Sequence, residues 1–276
     1  MRMNLPLFGL PQLALMALLG VSLAPQAVAQ EEPVPSSCLA IAQSMPPVMK
    51  ASFRRVQAEE ATVTFTYAGH STYRIETPIG VIIATDFSGI YGADPTPDVV
   101  TMNKAHRTHF TDTPDARIGH VLRGWNPDGE GPARHAVVVD DVYIRNVPTD
   151  IRNWGGGMER DGNSIFIFEV AGLCIGHLGH LHHDLTDAHY GAIGRLDIVM
   201  VPVDGGMTSS LGNVGEITRR LYSSVILPMH RHSTPLSEFT ARVGKGFAVQ
   251  RLDGDTISFS LRTLPKQPTI FVPRGL

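Results

Sequence analysis

From residue 61 onward the chain is a succession of short apolar and β-branched runs set between turns. Val63-Thr64-Phe65-Thr66-Tyr67 alternates in the manner of a half-buried strand. Residues 71–76 and 81–85 read as two further strands, joined by a turn at Thr77-Pro78-Ile79-Gly80. Residues 99–102 form a continuous apolar run, the mark of a strand buried on both faces. The stretch 110–135 is rich in Gly, Pro, Asn and Asp and predicts loops. Strands are then predicted at 136–139 and 142–146 as a hairpin around Asp140-Asp141, and at 164–170, 173–176, 197–203 and 225–227. Helical spacing predicts α-helices at 187–193, 213–222 and 236–243, and the final alternating runs, 247–252 and 256–261, read as a pair. Strands dominate and helices intervene in the second half, which predicts a mixed α/β layered domain.

The N-terminus has a different texture. Arg2 is followed by an apolar stretch to Ala24 and then by Ala27-Val28-Ala29. That order is the pattern of a secretory signal peptide, residues 1–29, and places the mature protein in the periplasm or outside the cell. Residues 30–60 form a lead-in, polar at first, then with short helices broken at Pro46-Pro47. Residues 61–265 are the expected domain and 266–276 a C-terminal tail. The formal net charge of -3, without a basic run, argues against nucleic acid or an anionic membrane surface as partner. After cleavage no stable membrane anchor is expected, and the expected partner is a small-molecule substrate. The oligomeric state is not readable. Cys38 and Cys174 read as two unpaired thiols, because Cys174 sits inside an apolar strand, although an exported protein permits a disulfide.

The chemistry lies in the histidines. Three apolar runs lead into histidine segments: residues 99–102 into His106 and His109, residues 173–176 into His177-Leu178-Gly179-His180, and residues 225–227 into His230. Neutral imidazole is the commonest protein ligand for a transition metal, and strands that deliver imidazoles from their ends to one place build a metal site. The plain alternative is a set of unrelated histidines hydrogen-bonded to nearby backbone. No phosphate-binding Gly-rich loop, dinucleotide fingerprint or His-Glu-x-x-His helix occurs, and Gly69-His70-Ser71-Thr72-Tyr73 lacks the final glycine of a serine-hydrolase elbow.

The order of these features, from Gly69-His70-Ser71-Thr72-Tyr73 and Ala84-Thr85-Asp86 through Gly162-Asn163-Ser164 and His177-Leu178-Gly179 to Pro228-Met229-His230, resembles the metallo-β-lactamase fold hydrolases. It is most similar to the branch that includes the ascorbate-6-phosphate lactonases. The resemblance implies a four-layer αββα sandwich, with two mixed sheets flanked by helices and a metal site at one sheet edge. It also exposes departures. The family segment His-x-His-x-Asp-His falls on Lys104, His106, Thr108 and His109, and the bridging aspartate of His-x-Gly-Asp falls on His180. Two dications beside an ammonium and neutral ligands would repel one another, so one ion, zinc or another divalent transition metal, is expected.

Candidate ligands are His106, His109, His177, His180 and His230, with His109, His180 and His230 the most self-consistent set. Lys104, His70, Asp86 and His183 are candidates for binding substrate or supporting the ligands; Lys104 would act as a tethered cation, and either His182 or His183 would transfer a proton. Trp125 and Trp154 lie in loops expected to cover the site. The function that follows is an exported metal-dependent hydrolase, with metal-bound hydroxide attacking an ester, lactone, amide or phosphodiester. The alternative is a degenerate member that binds a ligand or metal without catalysis. Intact-mass measurement of exported protein is expected to show a chain beginning at Gln30, and retention of Met1 in a membrane fraction would refute the leader.

Overall fold

The computed structural model describes residues 36–39, 60–129, 131–153 and 155–276. The expected leader, the polar stretch 30–35, most of the helical lead-in and Trp154 lie outside the described residues. No helix among the described residues is long and apolar enough to cross a membrane. The described residues belong to one unit, Val34–Leu276.

The elements run β1 (Val63–Gly69), β2 (Thr72–Glu76), β3 (Ile82–Ala84), β4 (Val99–Met102), β5 (His120–Arg123), β6 (Ala136–Val139), β7 (Val142–Arg152), β8 (Met158–Val170) and β9 (Leu173–His177). Then follow α1 (Asp187–Ile193), β10 (Ile198–Pro202), α2 (Leu211–Leu221), β11 (Val225–Met229), α3 (Leu236–Val243), β12 (Ala248–Arg251), β13 (Thr256–Phe259) and β14 (Thr269–Val272). They form two mixed sheets, of order β13-β1-β2-β3-β4-β5 and β12-β14-β11-β10-β9-β8-β7-β6.

Strand periodicity sorts the side chains into layers, because successive residues point to opposite faces. Phe65, Ile75 and Ile83 of the first sheet meet Phe166, Phe168, Ile175, Met200 and Leu227 of the second in one buried cluster. The intervening residues Ile165, Ile167, Val199, Val201 and Ile226 form another cluster with Ile193 of α1, Val214 and Ile217 of α2, and Phe239 of α3. Strands of the second sheet are therefore covered on both faces, which is why their sequences read as unbroken apolar runs. The outer face of the first sheet carries Ala84, Val100 and Met102 under Phe87 and Ile118, with Phe110 and Trp125 at the margin. Trp125 stacks edge-on against Phe110 there, at 5.5 Å between ring centroids.

Four differences from the sequence expectation have physical reasons. The hairpin strands β7 and β8 are longer than predicted and pair with one another from Tyr143↔Glu169 to Arg152↔Met158. The pair runs past Pro148 and Gly162, with an irregularity between Thr149 and Ile151, and Gly162 sits where a Cβ would strike Ile151. Residues 269–272, expected in a tail, form β14 between β11 and β12. Strands β12 and β13 do not pair; they join different sheets. Strand β5 lies within the stretch expected to be loop.

The expectation of two free thiols is overturned. Cys38 and Cys174 form a disulfide, with Cα atoms 5.8 Å apart. Cys174 points to the helix side of β9, and the N-terminal segment arrives on that side. Around the bridge, Glu169 accepts hydrogen bonds from Ser37 N–H at 2.7 Å and Arg145 Nε at 2.9 Å. The Arg145 guanidinium also donates to the carbonyls of Ala192 and Ile193 at the end of α1, at 2.7 Å each. A helix C-terminus favours a cation, so this buried pair holds strand, helix and N-terminal segment together. The bridge closes a separation of 136 residues. Replacing both cysteines by serine is expected to lower stability by about 2–5 kcal/mol, read as a melting-temperature fall of roughly 5–15 °C. An unchanged melting temperature under non-reducing conditions would refute the bridge.

Candidate metal centre

The turn between β1 and β2 builds one side of the site. Gly69 adopts φ 128°, and a Cβ there would lie 2.7 Å from the Tyr91 ring. His70 follows at φ 52°, a left-handed conformation that non-glycine residues adopt at some cost. The turn is fastened to the opposite sheet. His230 N–H donates to the His70 carbonyl at 2.8 Å. His177 Nε2 donates to the Ser71 carbonyl at 2.9 Å. Tyr73 Oη donates to the Pro228 carbonyl at 2.9 Å.

These constraints bring imidazoles together. His70, His106, His109 and His230 each offer one ring nitrogen, and the four nitrogens lie within 4.8 Å of one another. His70 Nε2 and His109 Nε2 are 3.2 Å apart. Zinc–nitrogen bonds in a tetrahedron place neighbouring nitrogens about 3.3 Å apart, so this spacing fits an ion. His180 adjoins the group, its ring centroid 4.6 Å from His109, 5.0 Å from His230 and 5.1 Å from His106. Both its ring nitrogens are buried without a hydrogen-bond partner, as are Nε2 of His106 and of His230. Buried polar atoms left without partners are costly, and so many on one spot mark a place for a cation.

Carboxylates stand behind two of the rings. His109 Nδ1 is 2.8 Å from Asp86 Oδ2, whose Oδ1 accepts from Asn103 Nδ2 at 2.8 Å. His230 Nδ1 is 2.9 Å from Asp204 Oδ2. Each carboxylate faces the Nδ1–H of its ring as an acceptor and so leaves the Nε2 lone pair to the cluster, as ligand-supporting carboxylates do. Burial works against ionised Asp204, but hydrogen bonds from His230, from the Thr208 hydroxyl and backbone, and from Gly206 N–H hold its carboxyl well below the usual range. Burial pushes Asp86 up, against the opposing pull of His177, Asn103 and the other imidazoles.

Four of the imidazoles, His70, His106, His109 and His180, are kept neutral. Burial, then the mutual repulsion of the rings, lowers His109 and His180 well below the ordinary value and brings His70 to about 4. His106 is lowered in the same way, first by burial and then by His230. Neutral rings are the form that binds metal.

Residues 64–230 match the family model for the β-lactamase superfamily domain. The chain belongs to the metallo-β-lactamase superfamily. Among solved structures it is similar to a Thermotoga maritima protein assigned to the Zn-dependent hydrolases of this superfamily, at 26% identity and TM-score 0.53, over 76% of this chain and 98% of that chain. It is also similar to Igni18, a metallo hydrolase of Ignicoccus hospitalis, at 22% identity and TM-score 0.51, over 72% and 99%. A diphosphatase of the PhnP family shares the fold at 15% identity and TM-score 0.50, over 73% and 98%. No curated protein matches the chain significantly. The superfamily is metal-dependent, and the histidine cluster lies at the end of the two sheets.

Of the residues singled out from the sequence, the structure brings His106, His109, His180 and His230 together and adds His70 to them. His177 is not among them. Its Nε2 donates to Ser71 and its Nδ1 accepts from Gly179 N–H at 3.1 Å, so both nitrogens are committed and neither can take a cation. Lys104 also stands apart, because its Nζ donates to Glu159 at 2.6 Å on the surface. His183 has a buried Nε2 without a partner, and its ring lies 6.3 Å from that of His182. Asp204, just past β10, both closes a turn through the N–H groups of residues 206–208 and supports His230.

Two residues escaped the sequence reading. Asn103 joins Asp86 to Ser164 N–H, the latter bond being 2.7 Å. Asn163 Oδ1 accepts His180 N–H at 2.7 Å. Both pack against Gly179, at φ 62°, where a Cβ would lie 2.4 Å from Asn103 and 2.5 Å from Asn163. The glycine between His177 and His180 was the only sequence signal of that crowding.

One consequence is a pH-dependent stability. His70 and His182 are both brought to about 4, chiefly by burial, against an unfolded value near 6.5. Between those values the unfolded chain binds protons that the folded chain refuses, so stability rises with pH across the window. The melting temperature of metal-free protein is expected to fall steadily as pH is lowered from about 6.5 to 4. A flat profile over that range would contradict the buried neutral rings.

Proposed function

We propose that the protein is a metal-dependent hydrolase with one divalent transition ion, zinc by the chemistry of an all-imidazole set, held by His70, His106, His109 and His230. The observation that carries this is the four-imidazole cluster with Asp86 and Asp204 behind two of its members. Two carboxylates beside neutral rings balance one dication, which supports a single ion over a pair. When bound, such an ion supplies Lewis-acid polarisation of a carbonyl or phosphoryl oxygen and lowers the pKa of water.

The chain's own residues account for the rest. Asp86 and Asp204 orient His109 and His230. The hydrogen bond from His177 to Ser71 holds the β1–β2 turn, and with it His70, in place. His180 lies between the cluster and a cavity of about 360 Å³ that it helps line, with both nitrogens unoccupied by protein. It is placed to take a proton from water and return it to a leaving group. No side-chain nucleophile is required. Esters, lactones, amides and phosphodiesters all suit this chemistry, and the fold does not choose among them. The disulfide supports an oxidising compartment and so accords with export.

A second reading rests on the same count of ligands. Four imidazoles close a tetrahedron, and closed sites are structural. On that reading the protein binds metal without catalysis.

Elemental analysis of metal-replete protein is expected to give about one ion per chain. Asp204→Asn and Asp86→Asn are expected to weaken metal binding about 10–100-fold. His180→Ala should keep the ion and lower turnover about 100-fold, with loss of one limb of the pH–rate profile. No ion after metal-replete purification would sink the proposal. A full complement of ion with no hydrolysis of esters or phosphodiesters would leave the closed, non-catalytic site.

A further inference from the structure

The cavity beside the cluster has a charge of its own. His106 and His180 form its inner wall, and Arg152, Asn153, His182 and Met207 form much of the remainder. Among the described residues that line it none carries a carboxylate, and Arg152 brings the only formal charge among them. Arg152 ends β7, and three contacts fix it in place. Its Nη2 donates to the carbonyls of Gly206, Met207 and Thr208 at 3.0, 2.9 and 3.1 Å. Its Nε and Nη1 make no hydrogen bond to the described residues.

The neighbouring imidazole cannot share that role. His182 Nδ1 accepts the Arg152 backbone N–H at 3.1 Å, and Nε2 donates to the Met207 carbonyl at 2.9 Å. Burial, reinforced by the Arg152 charge, brings it to about 4, so it serves as a neutral part of the wall. Lys104, which the sequence suggested as a cation beside the site, is neutralised by Glu159 and belongs to a separate small hollow of about 60 Å³. One fixed guanidinium therefore remains among the described residues of the cavity wall, which His106 of the cluster also lines.

We propose that this cavity selects substrates bearing an oxyanion, a carboxylate or phosphate, set apart from the bond that is cleaved, and that Arg152 is the residue that recognises it. An immobilised guanidinium loses little conformational freedom on binding, and the described lining offers no competing carboxylate. The apolar side of the cavity, Ala105 and Met207, would accept the carbon skeleton between anion and reacting group. The proposal rests on the hydrolase reading only for which end of the substrate faces the histidines.

The test uses two esters with a common leaving group, 4-nitrophenyl hydrogen succinate and 4-nitrophenyl butyrate, together with calorimetric titration of succinate and of inorganic phosphate into metal-loaded protein. In Arg152→Gln the ratio of kcat/KM for the anionic over the neutral ester is expected to fall about tenfold or more, and the better-bound anion to weaken by a similar factor. Metal content should stay at the wild-type value. The stronger of the two titrations identifies the oxyanion as carboxylate or phosphate. Arg152→Lys keeps the charge without the guanidinium or its three-carbonyl clasp and should fall between wild type and Arg152→Gln in selectivity. If it loses as much as Arg152→Gln, the clasp and not the charge is at work, and the proposal falls. Equal anion affinity in wild type and Arg152→Gln also overturns it, even where both hydrolyse esters. Arg152-dependent anion binding by a protein that hydrolyses neither ester keeps the anion site and overturns ester hydrolysis as the reaction.

Discussion

Two hydrogen bonds, from His230 N–H to the His70 carbonyl and from His177 Nε2 to the Ser71 carbonyl, join the β1–β2 turn of the first sheet to the ends of β11 and β9 in the second. Sheets packed face to face through apolar side chains can slide with little penalty, because the hydrophobic effect has no direction. A metal site tolerates no such freedom; its ligands must meet within tenths of an ångström. The two backbone acceptors in the turn supply the missing registration. The left-handed conformations of His70 and His230, at φ 52° and 51°, are local costs borne where the sheets are tied.

His177 shows why a histidine at a strand end need not be a ligand. Its ring is fully buried and carries two committed hydrogen bonds, one fixing the tautomer and the other crossing between sheets. A ring so engaged is more useful as a pin than as a donor to an ion. His180, three residues on, is the converse: it is buried nearly as deeply, yet its nitrogens have no protein partner. The contrast is set by Gly179, whose positive φ turns the chain between them and whose missing side chain admits Asn103 and Asn163.

Much of the architecture could be read from periodicity, because a second sheet covered on both faces writes itself as apolar runs. The convergence of His106, His109, His180 and His230 could be read as well, since each follows such a run. What stayed hidden depends on distance across the fold. The pairing of Cys38 with Cys174 needs the N-terminal segment to reach the helix side of β9, and no spacing along the chain encodes that. His70 lies far upstream of the other histidines of the cluster, and only the turn at Gly69 aims it at them. Strand β14 is four residues long and gains its identity from its neighbours β11 and β12. Pro148 and Gly162 weakened the local signal of β7 and β8, while pairing between the two strands overrode it. Lys104 was placed at a ligand position by alignment of motifs, but Glu159 on the adjoining hairpin draws its side chain outward.

Asp204 links the two halves of the site. Its Oδ1 accepts the N–H groups of Gly206, Met207 and Thr208 at 2.9, 2.6 and 2.9 Å, while Oδ2 meets His230. The N–H groups of this short loop are thus turned inward. Its carbonyls are left for Arg152, and that of Met207 also for His182. One carboxylate therefore fixes the orientation of an imidazole in the cluster and, through three peptide units, the position of the guanidinium on the cavity wall. Such an arrangement couples how tightly the centre is built to how the cavity is charged, because loosening the loop would release both His230 and Arg152. It also explains why Asp204 must be ionised despite its burial: five hydrogen-bond donors converge on it, and only the charged form can accept them all.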